Sequence, residues 1–334
     1  MIAFIVRRTM LAWMTTFFIS IIAFFAIQAA PGDYASIYMQ NLIGGAYMNA
    51  SSATDNEAIK QQIRRQYGLD QPQIVQYSKW AWKLLRLDFG VSREHGAKIT
   101  LVIGDKLANT ILLALGTILF TWILAIPIGI YSAIRHNSLG DYMATFFGFL
   151  GLSVPDFLLG LCLLWVAFYY FGISVGGLYS PEYSDAAWSF NKFIDLLKHL
   201  WIPAIVLGTA GTAGLIRVMR NNLLDELAKP YVVAARARGI SEWMLVIKYP
   251  VRMALNPFVS SIGYLLPALL SGSVIVSMVL GLPTLGPVLL EAMYSEDTGL
   301  AGIIVLMMGI LTIVGTLISD ILLVAFDPRI RLES

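Results

Sequence analysis

The chain has 334 residues, 57% hydrophobic and 13% charged, with a mean hydropathy of +0.72. A soluble domain carries roughly a quarter of its residues as Asp, Glu, Lys and Arg, so the composition excludes an ordinary soluble enzyme and points to a polytopic membrane protein. A net charge of +2 with no basic tail offers nothing for nucleic acid. Cys162 is the one cysteine and cannot close an internal disulfide, and the three widely spaced histidines make no metal cluster.

At the N-terminus, Arg7 and Arg8 precede a charge-free run over 10–30, 21 residues long. The apolar part of a signal peptide is about 7–15 residues and ends at a small-residue cleavage site. A membrane span needs about 20. The run is therefore expected to be a retained first span. Five further segments qualify: 107–134, 142–171, 200–216, 258–280 and 298–326. The fourth, 17 residues between His199 and Arg217, is at the short limit.

Six spans put both termini on one side. Short segments on that side hold 12 Lys and Arg, against Lys192 and Lys198 on the other. Nine more cations lie in the loop 31–106, which is too long to weigh in orientation. The expected fold is all-α with six spans, N-in and C-in. Its parts are a first segment and span (1–30), an outer loop (31–106), a five-span core (107–326) with a cytoplasmic loop (221–256), and a tail (327–334).

Within the outer loop, QPQIVQYSKWAWKLLRL places Ile74, Tyr77, Ala81 and Leu84 at helical spacing. Pro72 suits a first turn, and Trp80 and Trp82 are typical of membrane interfaces. Two readings stand and can coexist: an interfacial helix packed on the bundle, or a docking surface for an extracytoplasmic partner.

In the third span, Pro155 is expected to kink the helix. Asp156 follows it, and an ionisable group there is costly unless it faces water or a partner. Asp156, with Pro155 and Phe157, either lines a substrate path or belongs to a protonated or internally paired structural site. Gly208, Gly211 and Gly214 in the fourth span are read as close helix packing in preference to a gating hinge. Asp320 precedes Asp327 by about 10 Å of helix and is expected to pair with an inside arginine. An aspartyl-protease dyad of Asp156 and Asp320 is not favoured, because the two lie at different depths.

The stretch AARARGISEWMLVIKYPVRMALNP (234–257) interrupts the apolar spans with cations. Pro230 can open a helix that runs through Arg238. Gly239 suits the left-handed position beyond it, followed by the apolar Ile240. Ser241 is a candidate N-cap for a second helix through Tyr249, ended by Pro250. Asn256 and Pro257 form an N-cap and first-turn pair launching the fifth span. A loop lying on anionic lipid would explain the charge. A helix offered to a groove on another protein also explains the hinge and the small residues Ala234, Ala235 and Ala237.

VAARARGISEWMLVIKYPVRMALNP resembles the cytoplasmic "EAA" loop of ABC importer permeases, in the form used by the oligopeptide/dipeptide/nickel family. The arginine pair, APGD (30–33), YGLDQPQIVQY (67–77), LDFGVS (87–92), KLANTILLA (106–114), GLSVPDF (151–157), GLPTLG (281–286) and DPRIRL (327–332) resemble further family segments in order. The motif's named glutamate falls on Val233, whereas Ala234, Ala235 and Gly239 match its core. The resemblance implies that Val233, Ala234, Ala235, Arg236, Arg238, Gly239 and Ser241 couple this chain to an ATPase subunit. It implies two nucleotide-binding subunits carrying ATP and Mg, a second homologous permease and an extracytoplasmic substrate-binding protein. It also implies a bacterial or archaeal cytoplasmic membrane.

No cofactor is expected in this chain: it has no Gly-Lys dipeptide, hence no phosphate-cradling loop. No covalent catalysis is expected. That absence would equally fit the rival reading, an ion-gradient-driven secondary transporter with Asp156 as its ion site. The resemblance suggests oligopeptides as the first expected solute, with oligosaccharides and nickel as alternatives.

Overall fold

The computed structural model describes residues 2–28, 61, 62, 65, 70–92, 94–172, 176–184 and 186–326. APGD, most of YGLDQ, Asp327 and the 327–334 tail lie outside them. Among the described residues the elements are helices, with one isolated antiparallel bridge between Val91 and Lys98. They are α1 (Ile2–Gln28), α2 (Gln73–Leu85), α3 (Ile99–Ile134), α4 (Leu139–Ser153), α5 (Asp156–Phe171), α6 (Phe190–Leu227), α7 (Pro230–Ala237), α8 (Glu242–Lys248), α9 (Pro250–Ala254), α10 (Asn256–Val279), α11 (Leu285–Tyr294) and α12 (Thr298–Phe326). In lipid a helix satisfies its own backbone, so long apolar runs fold this way.

The helices α1, α3, α6 and α12 have the length and apolarity of spans. The 24-residue α10 coincides with the expected fifth. Two expectations need correction. The third span is not one kinked helix but two, α4 and α5, bent by 101° around residues 154 and 155. Proline's ring and missing N–H, and its bias against helix in the preceding residue, favour a full break here. The fourth span is not short. Its helix runs for 38 residues, opened by Ser189, whose Oγ accepts from the Lys192 amide at 3.2 Å. Lys192 is not a loop cation. It is buried on α6, donating to the carbonyls of Ala186 (2.6 Å) and Ser184 (3.4 Å).

The chain divides into two compact units. One comprises 1–13, 105–287 and 310–334, the other 14–104 and 288–309. In the first, two apolar clusters carry the packing. One gathers Leu113, Ala167, Leu178, Ile202, Val206 and Leu280. The other joins Ala125, Met219 and Leu223 to Val232, Leu245, Val251 and Phe258. Close helix approach holds for Gly208, where a Cβ would come within 2.8 Å of the Phe120 ring, but not for Gly214, which faces open space. Asp320 accepts the expected inside arginine, Arg8, at 3.1 Å. Asp141, buried on α4, takes a two-point grip from Arg220 on α6, at 2.8 Å (Nε) and 2.9 Å (Nη2).

In the second unit, the later part of α1 carries α2. Tyr77 Oη and Ser20 Oγ are 2.9 Å apart, Gln28 Nε2 donates to Gln76 Oε1 at 3.0 Å, and the Phe24 ring lies 5.5 Å from those of Tyr77 and Trp80. Buried Asp297 accepts from Ser92 Oγ (2.7 Å), the Glu94 amide (3.2 Å) and the Leu300 amide (3.0 Å). It thereby ties the loop after α2 to the start of α12.

Asp141→Ala should lower the unfolding free energy in mixed micelles by about 2 kcal/mol, because it strands a charged donor. Adding Arg220→Ala should cost less than the two single changes summed, by about 1 kcal/mol. Additive losses would mean that the pair is not coupled.

Candidate functional site

The module after α6 is fixed at both edges. Glu226, near the end of α6, accepts from Lys229 Nζ and Tyr231 Oη, each at 2.6 Å. Burial and that bond push the Tyr231 hydroxyl well above its ordinary value. Pro230 opens α7 in the first turn as expected. Val232 is fully buried, and Ala235 and Ile240 pack against the same core. Val233, Ala234, Arg236, Ala237 and Arg238 face outward. Of the three alanines, two are therefore on the open surface, and Ala235 belongs partly to the core.

Helix α7 ends at Ala237. The Arg238 amide donates to the Ala234 carbonyl at 3.2 Å and the Gly239 amide to that of Arg236 at 3.0 Å. Gly239 sits at φ +76°, in the left-handed region, with open space at its Cβ position. Ser241 occupies the N-cap position of α8, yet its side chain makes no cap hydrogen bond. Glu242 instead closes the turn, accepting from Arg236 Nε and, at 3.1 Å, from Arg236 Nη2. This bond and the guanidinium charge hold the Glu242 carboxyl below its usual range and raise Arg236.

In α8, Leu245 and Val246 are buried, while Trp243 and Met244 are 68% and 59% exposed. Pro250 does not merely stop α8. It opens the five-residue α9, so the module has three short helices where two are expected. Asn256 is the first residue of α10, with Leu255 in the cap position. A helix turn ending at Leu255 supplies the carbonyls that make a side-chain cap unnecessary there, since the amides of Phe258 and Val259 bond the Leu255 carbonyl.

Pro155 holds the cap position of α5, Asp156 is its first residue and Phe157 its second. Asp156 is half-buried and Phe157 exposed. Asp156 thus lies at a helix start beside the break, not within a continuous span. Among the described residues its carboxylate has no ion pair or side-chain cap.

Residues 125–332 match the family described as the binding-protein-dependent transport system inner membrane component, and residues 1–114 match its N-terminal region. The chain belongs to this family. The permease is 35% identical to the oligopeptide transport system permease protein AppB of Bacillus subtilis over 332 residues, covering 99% of this chain and 100% of AppB. It is 30% identical to the inner membrane ABC transporter permease protein YejB of Escherichia coli O157:H7, covering 99% of each. It is also 30% identical to a putative peptide permease protein of Brucella ovis, covering 94% of each.

Two of the permease's motifs, far apart in the chain, meet in space. Asn109 Nδ2 donates to the Pro283 carbonyl at 3.1 Å, the Leu285 amide donates to Thr110 Oγ1 at 3.0 Å, and Tyr179 Oη donates to Asn109 Oδ1 at 3.3 Å. KLANTILLA and GLPTLG are thus two halves of one clasp. Nothing local in either segment announces this. Glu226 is likewise absent from the sequence reading, although an acid three residues before Lys229 was a visible signal.

Gly239→Val should cost about 1–2 kcal/mol through its left-handed backbone, speeding amide exchange in α7 and α8 by roughly 5–30-fold. Because Glu242 is depressed, its pairing contributes fully above the ordinary Glu value of about 4.3 and is lost as pH falls through its lower folded value. Exchange of the 238–242 amides, corrected for intrinsic rates, should stay level from about pH 8 to about pH 5 and rise only in stronger acid. A rise near neutral pH would contradict the pairing.

Proposed function

We propose that this permease forms half of the translocation pathway of an ABC importer for oligopeptides. A second, homologous permease supplies the other half. An extracytoplasmic binding protein delivers the solute, and two ATPase subunits carry ATP and Mg. The module of α7 to α9 carries the proposal. It buries Val232, Leu245 and Val246 in the core that holds α6 and α10, and it turns Val233, Ala234, Ala237, Arg236 and Arg238 outward. A surface anchored so firmly beneath and left uncovered above is suited to docking in a groove.

In this reading α1, α3, the α4–α5 pair, α6, α10 and α12 are six spans with both termini in the cytoplasm. The excess of Lys and Arg on the N-terminal side supports that orientation. ATP binding closes the partner subunits and moves α7. Because α7 shares its core with α6 and α10, both helices follow, and the cavity opens to the other side. Pro155, Asp156 and Phe157 line the path, where the break leaves a half-buried carboxylate. The chain performs no covalent step. The names of AppB and the Brucella ovis relative favour peptides as solute.

The full chain should co-purify in detergent with a nucleotide-binding subunit, and Ala234→Trp, on the open face, should abolish that association while the permease still folds. Reconstituted with its partners, the complex should take up labelled oligopeptide only with ATP and a peptide-loaded binding protein. Uptake by the chain alone under an ion gradient would overturn the importer reading. Stimulation by sugar or nickel instead of peptide would overturn the substrate.

A further inference from the structure

The exposed surface of α2 has an order that the transport reading does not use. Around the helix, Tyr77, Trp80, Ala81 and Leu84 occupy one arc, and Tyr77 and Trp80 are engaged with α1. The adjoining arc holds Ile74, Ser78, Trp82 and Leu85. There Ile74 is 75% exposed, Leu85 72% and Trp82 57%. The third arc holds Lys79, Lys83 and Arg86, with the Arg86 guanidinium 4.8 Å from the Trp82 ring centroid. At 100° per residue, apolar residues thus run in one continuous band, half of it against α1 and half uncovered, bordered by cations.

The place of α2 says what that uncovered half meets. Its partners on α1 are Ser20, Phe24, Phe25 and Gln28, spread over the half of that helix away from Arg7 and Arg8. A helix fastened to that half of α1 is within reach of the boundary between lipid and water. Trp and Tyr favour that boundary. An apolar face with a cationic border is the pattern of helices lying in the interface plane, where the cations reach anionic headgroups and their stems cover apolar surface.

We propose that α2 is an in-plane membrane anchor, seating Ile74, Trp82 and Leu85 in the lipid leaflet at the far end of α1, with Lys79, Lys83 and Arg86 on anionic headgroups. The occupant is lipid, and the face is not a protein-docking site. The anchor fixes the loop after α2, which Asp297 then joins to α12.

The test uses the full-length chain with its co-purified subunits in nanodiscs of phosphatidylcholine, with or without phosphatidylglycerol. Cys162 is replaced (Cys162→Ser), and single cysteines are placed by Ile74→Cys, Leu85→Cys and, as a polar-face control, Lys83→Cys. Each is spin-labelled and read for collision with oxygen, which partitions into lipid, and with a water-soluble nickel chelate. Labels at 74 and 85 should show a several-fold higher oxygen-to-nickel ratio than the label at 83. Phosphatidylglycerol should deepen them, and Lys79→Gln with Arg86→Gln should remove that effect. Equal exposure to nickel at all three sites overturns the proposal. So does nickel exposure that disappears only when the extracytoplasmic binding protein is added, which would make the face a protein-docking site. Exclusion of both reagents also overturns it, since the face would then be covered by the protein itself.

Discussion

The module of α7 to α9 and the long helices beside it share one apolar core, and the rest of the larger unit depends on that sharing. Val232, Leu245, Val246 and Val251 come from three helices of five to eight residues each, too short to hold themselves in water. They persist because Met219, Leu223 and Phe258, on the flanking long helices, bury them. Burying a side chain of this size contributes about 1.5–3 kcal/mol, and four such anchors outweigh the poor intrinsic stability of short helices. The outer face of the module is thereby freed from holding the module in place, apart from the Arg236–Glu242 pair that shapes its turn. Exposed Trp243 and Met244 are tolerated because the inner face alone holds the module in place.

Charge plays a different part. The larger unit places Arg8 on Asp320 and Arg220 on Asp141, each joining a helix to another distant in the chain. In the 236–242 turn the pairing is local and fully exposed, so it shapes the turn more than it stabilises the protein. Other buried ionisable groups have specific partners. Lys192 is held by two carbonyls, and Asp195 by the amide and hydroxyl of Ser180 at 2.7 and 2.6 Å.

What could be read from residues alone was what local chemistry dictates. Pro230 and Gly239 mark their helix ends by backbone restriction, and both stand where expected. Ser241 stands in the cap position of α8 without making the cap bond, and Asn256 does not cap because the Leu255 carbonyl serves the first amides of α10. Hydropathy finds apolar runs but cannot see that 142–171 is broken, since both halves are equally apolar. It also hides the polar extensions of α6, whose charged residues look like loop until Lys192 is seen buried. Asp141 with Arg220, and Asn109 with Pro283, are separated by 79 and 174 residues, and no local pattern encodes such partners. For α2, helical spacing showed an apolar face. It could not show that α1 covers only half of it.

The break between α4 and α5 has a material consequence. The Leu158 and Leu159 amides share the Pro155 carbonyl, at 3.0 and 3.1 Å, whereas those of Asp156 and Phe157 have no carbonyl one turn behind them, and hydrocarbon offers no substitute. A carboxylate stands at the same point. Free amides and a carboxyl group thus meet at one point between two apolar helices. A polar solute reaching that break meets hydrogen-bonding groups, where the bodies of α4 and α5 offer mainly hydrocarbon.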